Sequence, residues 1–343
     1  MGVQQRIISG TDGTAKTAAY RPDRRIQEAL YKTNESLQTV ENSYGPLADS
    51  LPDPALVFVA YVPRSGSTLL TQLLARTGQW NYVSNFQSRF WLAPYVGGLL
   101  EQSIAPRRYD ELPLQSDFGL TPSSGSPAEF SYFWEYWLRL APELDHQLTH
   151  DRWEACDIAG LRRELRLIGS LHQGPLMFKK EWLGMNANHL LDAFPTAKML
   201  HIVRDPMDVA RSILKARRQV FGHRDCWWGA KPGNWNQLAT LPWHDQIAGQ
   251  IESILAATNS AIERFSARCL TISYEELVAQ PVNSVEQIHA WAELPTTSLS
   301  TIPLLLPQST RTSASAELPS NDEVSQLMGA LERGGICPER ATP

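Results

Sequence analysis

Few features in this sequence would anchor it, staple it or bind it to nucleic acid. Only four cysteines occur in 343 residues, Cys156, Cys226, Cys269 and Cys337, and no pair has C-x2-C spacing. Neither a zinc site nor a disulfide framework is expected, and a reducing, cytoplasmic setting fits that usage. No run approaches the roughly 18 consecutive apolar residues of a membrane-spanning helix. The opening MGVQQRIISGTDGTAK has no apolar stretch of a secretory leader, and no myristoylation pattern follows Met1-Gly2. The net charge is -5, so the molecule as a whole is not built to coat nucleic acid. Internal repeats are also missing.

An ordinary globular composition remains, 43% apolar and 20% charged, with eleven tryptophans. The length suffices for one large α/β domain with a self-sufficient core. Residues 1–50 read as a flexible or helical extension, with a polar helix over 24–45. Residues 51–320 read as a single domain, with substrate-side insertions near 85–150 and 221–243. Residues 321–343 read as a polar tail.

Leu56–Val62 (LVFVAYV) is a continuous apolar run of strand length. Such runs mark strands buried on both faces. Further strands are expected at Trp80–Val83, Leu176–Lys179, Lys198–Val203 and Cys269–Ser273. Helical patterns fall between them at 158–172, 185–194, 206–220, 245–266 and 283–292. The alternation predicts a three-layer α/β/α, P-loop-like fold with a mostly parallel central sheet. Ligands of such sheets bind at the carboxyl ends of the strands.

Between the first strand and the helix TLLTQLLAR lies Pro63-Arg64-Ser65-Gly66-Ser67-Thr68. Backbone N–H groups at a helix N-terminus bind anions, and the helix dipole adds positive charge. Gly66 permits unusual backbone angles, the hydroxyls add donors, and Arg64 adds a charged fork. A plain strand-to-helix turn capped by Ser67 or Thr68 is the competing reading. Walker A loops carry lysine after the second glycine; here Ser67 follows Gly66, which turns the loop away from ATP. HIVRDPMDVARSILKARR (201–218) repeats the strand-to-helix pattern, with Arg204 at a strand end and Ser212 about two turns into the helix. Both can converge on one anion. Arg211, Lys215, Arg217 and Arg218 read as a solvated face.

Three segments together resemble PAPS-dependent sulfotransferases, where PAPS is 3′-phosphoadenosine-5′-phosphosulfate. P-R-S-G-S-T at 63–68 is similar to the family's 5′-phosphosulfate loop. R-D-P-x-D-V-x-x-S at 204–212 is similar to its 3′-phosphate motif. Tyr274-Glu275-Glu276-Leu277 followed by Pro281 resembles its Y-E-[DE]-L-x-x-x-P segment. The resemblance spans roughly 55–312. The R-K-G-x-x-G-x-x-K signature of the cytosolic branch is missing, which places the chain nearer the bacterial and carbohydrate-type branches.

The resemblance implies a role for each matching residue. Arg64 would contact the 5′-phosphate and the bridging oxygen, with Ser65, Gly66, Ser67 and Thr68 cradling that phosphate. Arg204 and Ser212 would bind the 3′-phosphate, Tyr274 would lie near adenine, and Ser309 and Arg311 would close over the nucleotide. It implies sulfuryl transfer to a hydroxyl or amine of a glycan or small molecule, with 3′,5′-bisphosphate (PAP) as product. No metal is required. A sulfuryl group carries less charge than a phosphoryl group, so positioned donors and one or two cations serve where kinases recruit magnesium.

The base is less legible. Lys179, at a strand end, is a candidate for contacting the sulfuryl group or leaving oxygen, and its alternative is a surface lysine. Glu129, in PAEFSYFWEYW, is a candidate base whose aromatic surroundings are expected to raise its pKa; its alternative is a helix N-terminal carboxylate after Pro127. Glu181 and His172 are weaker candidates. Phe133, Trp134, Trp227 and Trp228 offer faces to a sugar or flat ring, although a packed helix face is the readier explanation for most of the rings in 130–137. A P-loop kinase or nucleoside triphosphatase, and a non-catalytic PAP- or glycan-binding module, are the competing functions.

Overall fold

The computed structural model describes residues 16–141, 143–296 and 319–336. In chain order its main elements are α1 (Arg24–Asn42), β1 (Leu56–Tyr61), α2 (Ser67–Arg76), β2 (Asn81–Tyr82), α3 (Pro94–Ile104), α4 (Ser131–Trp137) and α5 (Ile158–Ser170). They continue with β3 (Leu176–Lys179), α6 (Glu181–Met185), α7 (Ala187–Ala193), β4 (Lys198–Val203) and α8 (Pro206–Phe221). The last are α9 (Trp243–Arg264), β5 (Cys269–Ser273), α10 (Tyr274–Ala279), α11 (Pro281–Trp291) and α12 (Asn321–Arg333).

The strands form one parallel sheet in the order β2-β3-β1-β4-β5. Every residue of β1 is buried, as its unbroken apolar run requires. Helices cover both faces over two apolar cores. One holds Phe58, Ala60, Phe178 and Met199; the other holds Val57, Val59, Leu200 and Ile202. The successive residues of β1 alternate between these cores, the period-two rule for a strand. Because β1 is central while β3 and β4 flank it, the chain turns in opposite directions on leaving the sheet's middle. That switch opens a crevice above their carboxyl ends.

Three expectations need adjustment. The helix expected over 185–194 is two pieces, α6 and α7, broken at Asn186. The Asn186 side chain accepts from Leu148 N–H (2.7 Å) and donates to His146 O (2.8 Å), so this polar break pins the segment at 146–148. Residues 24–42 are tied into the domain through buried polar groups. Asn34 donates to Arg89 O and accepts from Leu92 N–H, while Glu41 accepts from the N–H groups of Tyr95 and Val96 at the start of α3. The expected tail holds α12, whose Leu327 and Leu331 enter the larger core. Glu323 caps α12 with Ser320 and pairs with Arg218 and Arg224. Despite burial, those partners hold the Glu323 carboxyl down to about 2. Among the described residues no helix is long and apolar enough to cross a membrane.

Candidate active site

The Pro63–Thr68 loop follows β1, Lys180 follows β3, Arg204 follows β4 and Tyr274 follows β5. Four neighbouring strands therefore deliver four polar segments to one edge, around a cleft of about 1030 Å³.

Gly66, not a serine or threonine, sits at the N-cap of α2, with φ +92° and no side-chain cap. The competing reading of the loop, a turn capped by Ser67 or Thr68, does not describe this geometry. A Cβ on Gly66 would come within 2.6 Å of Tyr274 Cε2, so only glycine fits under that ring. Arg64 is also left-handed, with φ 78°. Its Nε donates to Ser212 Oγ (3.0 Å) and its guanidinium lies 4.9 Å from the centre of the Phe118 ring. Arg204 donates from Nη1 to Arg64 O (3.2 Å) and stacks 4.5 Å from the Tyr274 ring centre. Burial, with Arg204 alongside, pulls the Arg64 guanidinium down to about 10. The Nε atom of Arg204, which lines the cleft, is buried without a partner. A cradle closed by a glycine, two arginines and an orphaned guanidinium donor suits an anionic ligand.

Beside this cradle lies a group of acids and lysines. Lys179 Nζ donates to Thr68 Oγ1 (3.0 Å) and stands 3.8 Å from Glu129. Lys180 Nζ lies 3.0 Å from Glu129 and 3.1 Å from Glu181. The Tyr61 hydroxyl donates to Glu181 (3.2 Å) and lies 3.5 Å from Glu129. Burial lowers Lys179. It works against the charge of Lys180 too, but Glu129 and Glu181 outweigh it and raise that ammonium. For Glu129 the outcome is opposite to the sequence expectation. Burial pushes the carboxyl up, yet Lys180 and Lys179 together hold it below the usual range. The aromatic stretch had indicated the desolvation; the two lysines come from a strand about fifty positions away.

Of the aromatics expected to meet an acceptor, Trp228 lines the cleft. Trp227 instead donates its N–H to Ala230 O (3.1 Å) and covers Arg217. Phe133 and Trp134 are fully buried. Phe133 stacks on Phe130 and Trp134 meets Phe178 edge-on, so their proposed substrate contact is corrected to core packing. The same short helix presents Tyr132 to the cleft, a residue passed over because its neighbours share its aromatic character. Tyr61 was missed because it lies within an apolar run, and Phe118 because nothing local marks it. His172 does not line this cleft, whereas Glu181 does. Arg217 is fully buried rather than solvated and donates to Gln246 (2.9 Å). Ser309 and Arg311 lie outside the described residues.

The parallel sheet, with the glycine-closed loop at its carboxyl edge, defines a P-loop-like α/β fold. The sequence model of the sulfotransferase family matches residues 54–298, so the chain belongs to the sulfotransferase family. No curated protein matches in sequence. Among solved structures, sulfotransferase STF9 from Mycobacterium avium is similar with a TM-score of 0.60 and 16% identity, covering 97% of this chain and 90% of that one. Sulfotransferase STF1 from Mycobacterium tuberculosis H37Rv is similar with a TM-score of 0.56 and 13% identity, covering 96% and 90%. At such identities these two likenesses carry the fold alone.

Proposed function

We propose that the protein transfers a sulfuryl group from PAPS to a hydroxyl or amine of a glycan or small-molecule acceptor, leaving PAP. The observation that carries this reading is the Arg64–Ser212 hydrogen bond, which joins the loop after β1 to the helix after β4 in one two-phosphate cradle. Arg64 and the N–H and hydroxyl groups of Ser65–Thr68 hold the 5′-phosphosulfate. Arg204 and Ser212 hold the 3′-phosphate, and Tyr274 lies against the base. Family membership supports the choice of donor.

Transfer is an in-line displacement. The acceptor oxygen or nitrogen attacks sulfur as the bond to the bridging oxygen breaks, and PAP leaves with that electron pair. Glu129 accepts the acceptor proton as its general base. Lys179, bonded to Thr68 and 3.8 Å from Glu129, stands between donor loop and base and stabilises charge on the departing oxygen. Trp228 and Tyr132 border the cleft where a ring-shaped acceptor would enter. The four cysteines without disulfide or metal spacing favour a cytoplasmic setting.

The test is transfer of radiolabelled sulfuryl from PAPS, in the presence of EDTA, to a panel of glycans, alcohols and amines. Label in any acceptor supports the reading. PAP binding with no transfer to any of them favours a non-catalytic module, and failure to bind either nucleotide overturns the assignment.

A further inference from the structure

Lys179 and Lys180 are adjacent in sequence but serve different partners. Lys179 reaches back to Thr68 on the phosphate loop. Lys180 lies between two carboxylates, 3.0 Å from Glu129 and 3.1 Å from Glu181, with the Trp182 ring centre 4.4 Å from its Nζ. Its side chain is 8% exposed, so little water can take its place. We propose that Lys180 is a positioning residue of the reaction: by bridging Glu129 to Glu181 it keeps the Glu129 carboxylate unprotonated and turned into the cleft, leaving Lys179 to the donor. The proposal rests on the reading of Glu129 as the base.

The surrounding groups explain why one ammonium matters. Glu129 faces Lys179 and Lys180 from the end of β3, Tyr61 from the end of β1, Glu181 from α6, and Arg64 from the phosphate loop. Lys180 also acts on Glu135 of α4 and on His146. Burial keeps His146 neutral, so it contributes no charge. Burial keeps the Tyr61 hydroxyl protonated as well, helped by Glu129 and Glu181. It can donate to one carboxylate but cannot neutralise either. Without Lys180, Glu129 and Glu181 face each other across Tyr61 with Lys179 and Arg64 as the remaining cations. Like charges in a desolvated site do not both stay ionised, and one carboxyl takes a proton. A protonated Glu129 cannot accept the acceptor's proton.

The experiment uses the full chain with PAPS hydrolysis as the probe, water standing in the acceptor's place. Rates are followed from about pH 5 to about pH 8, spanning the region above ordinary carboxylate values, for the parent protein, Lys180→Met, Lys180→Arg and Glu129→Gln. Lys180→Met should acquire an acidic limb shifted upward by about one unit or more, the usual effect of losing an opposite charge at this distance. Lys180→Arg should keep the parent profile. A second readout needs no turnover: the difference in melting temperature between each protein and its Glu129→Gln counterpart. That difference should stay flat with pH in the parent background and vary with pH in the Lys180→Met background. Inactive Glu129→Gln together with unchanged profiles and a flat difference in Lys180→Met overturns the role of Lys180 alone. Glu129→Gln hydrolysing PAPS at the parent rate removes the base reading itself.

Discussion

Arg64 Nε donates to Ser212 Oγ at 3.0 Å across 148 positions of sequence. This contact links the residue assigned to the 5′-phosphate with one assigned to the 3′-phosphate, so it can be tested by nucleotide discrimination. Removing the hydroxyl in Ser212→Ala takes away a hydrogen bond to a charged group, worth about 10-fold or more in affinity. PAP binding should weaken by that factor in calorimetry, while adenosine 5′-monophosphate, which lacks the 3′-phosphate and feels only the loosened Arg64, should lose less. Equal losses for both nucleotides would remove Ser212 from the 3′-phosphate site.

Gly66 carries two constraints at once. Its φ of +92° strains any other residue, and a Cβ would come within 2.6 Å of the Tyr274 ring. The backbone conflict alone costs about 1–2 kcal/mol, and the steric one displaces the ring meant for the base. Gly66→Ala should therefore lower both melting temperature and PAP affinity. Adding Tyr274→Ala should relieve the clash but not the backbone strain. A single Gly66→Ala protein that binds PAP like the parent shows that the loop is not the cradle described.

The strands and the loops that follow them were legible because their signals are local. The bounds expected for β3, β4 and β5 coincide with those observed, since each is a short apolar run closed by a charged or turn-forming residue. Arg64 and Arg204 could be put at the carboxyl edge because a strand end positions whatever follows it, and Tyr274 through the resemblance of its segment to the family's. The environment of Glu129 could not be read. Its ionisation is set by Lys180, 51 positions away, and only the fold brings them together. The docking of α1 was equally hidden, because it depends on Asn34 and Glu41, polar residues that resemble surface positions until their backbone partners are known.

Glu135 makes stability depend on pH. Burial pushes its carboxyl up to about 7, and Lys180 offsets only part of this. A carboxyl raised above its unfolded value of about 4.3 favours the folded state fully below that value. The contribution is lost as pH rises toward about 7. Glu135→Gln keeps the neutral form at every pH, so the parent protein should lose melting temperature relative to this variant between about pH 5 and about pH 8. Parallel melting curves for the two proteins across that range would show that Glu135 does not carry a raised pKa.

The correction on α4 separates packing from substrate contact. Trp134 is fully buried and meets both Phe58 and Phe178 edge-on, so truncating it opens a cavity under the sheet. Trp134→Ala should cost about 3–5 kcal/mol of stability, while the surviving folded protein binds PAP normally and keeps its acceptor KM. Tyr132 packs against Trp91 with ring centres 4.8 Å apart and also borders the cleft. Tyr132→Ala should cost less stability and raise the acceptor KM selectively, with PAP affinity unchanged. The two residues lie two positions apart on one short helix, so a helix rotated by about half a turn would exchange these phenotypes. Urea denaturation paired with acceptor kinetics on both variants therefore tests which face of α4 meets the substrate. A raised acceptor KM in Trp134→Ala with no loss of stability would restore the assignment first drawn from the sequence.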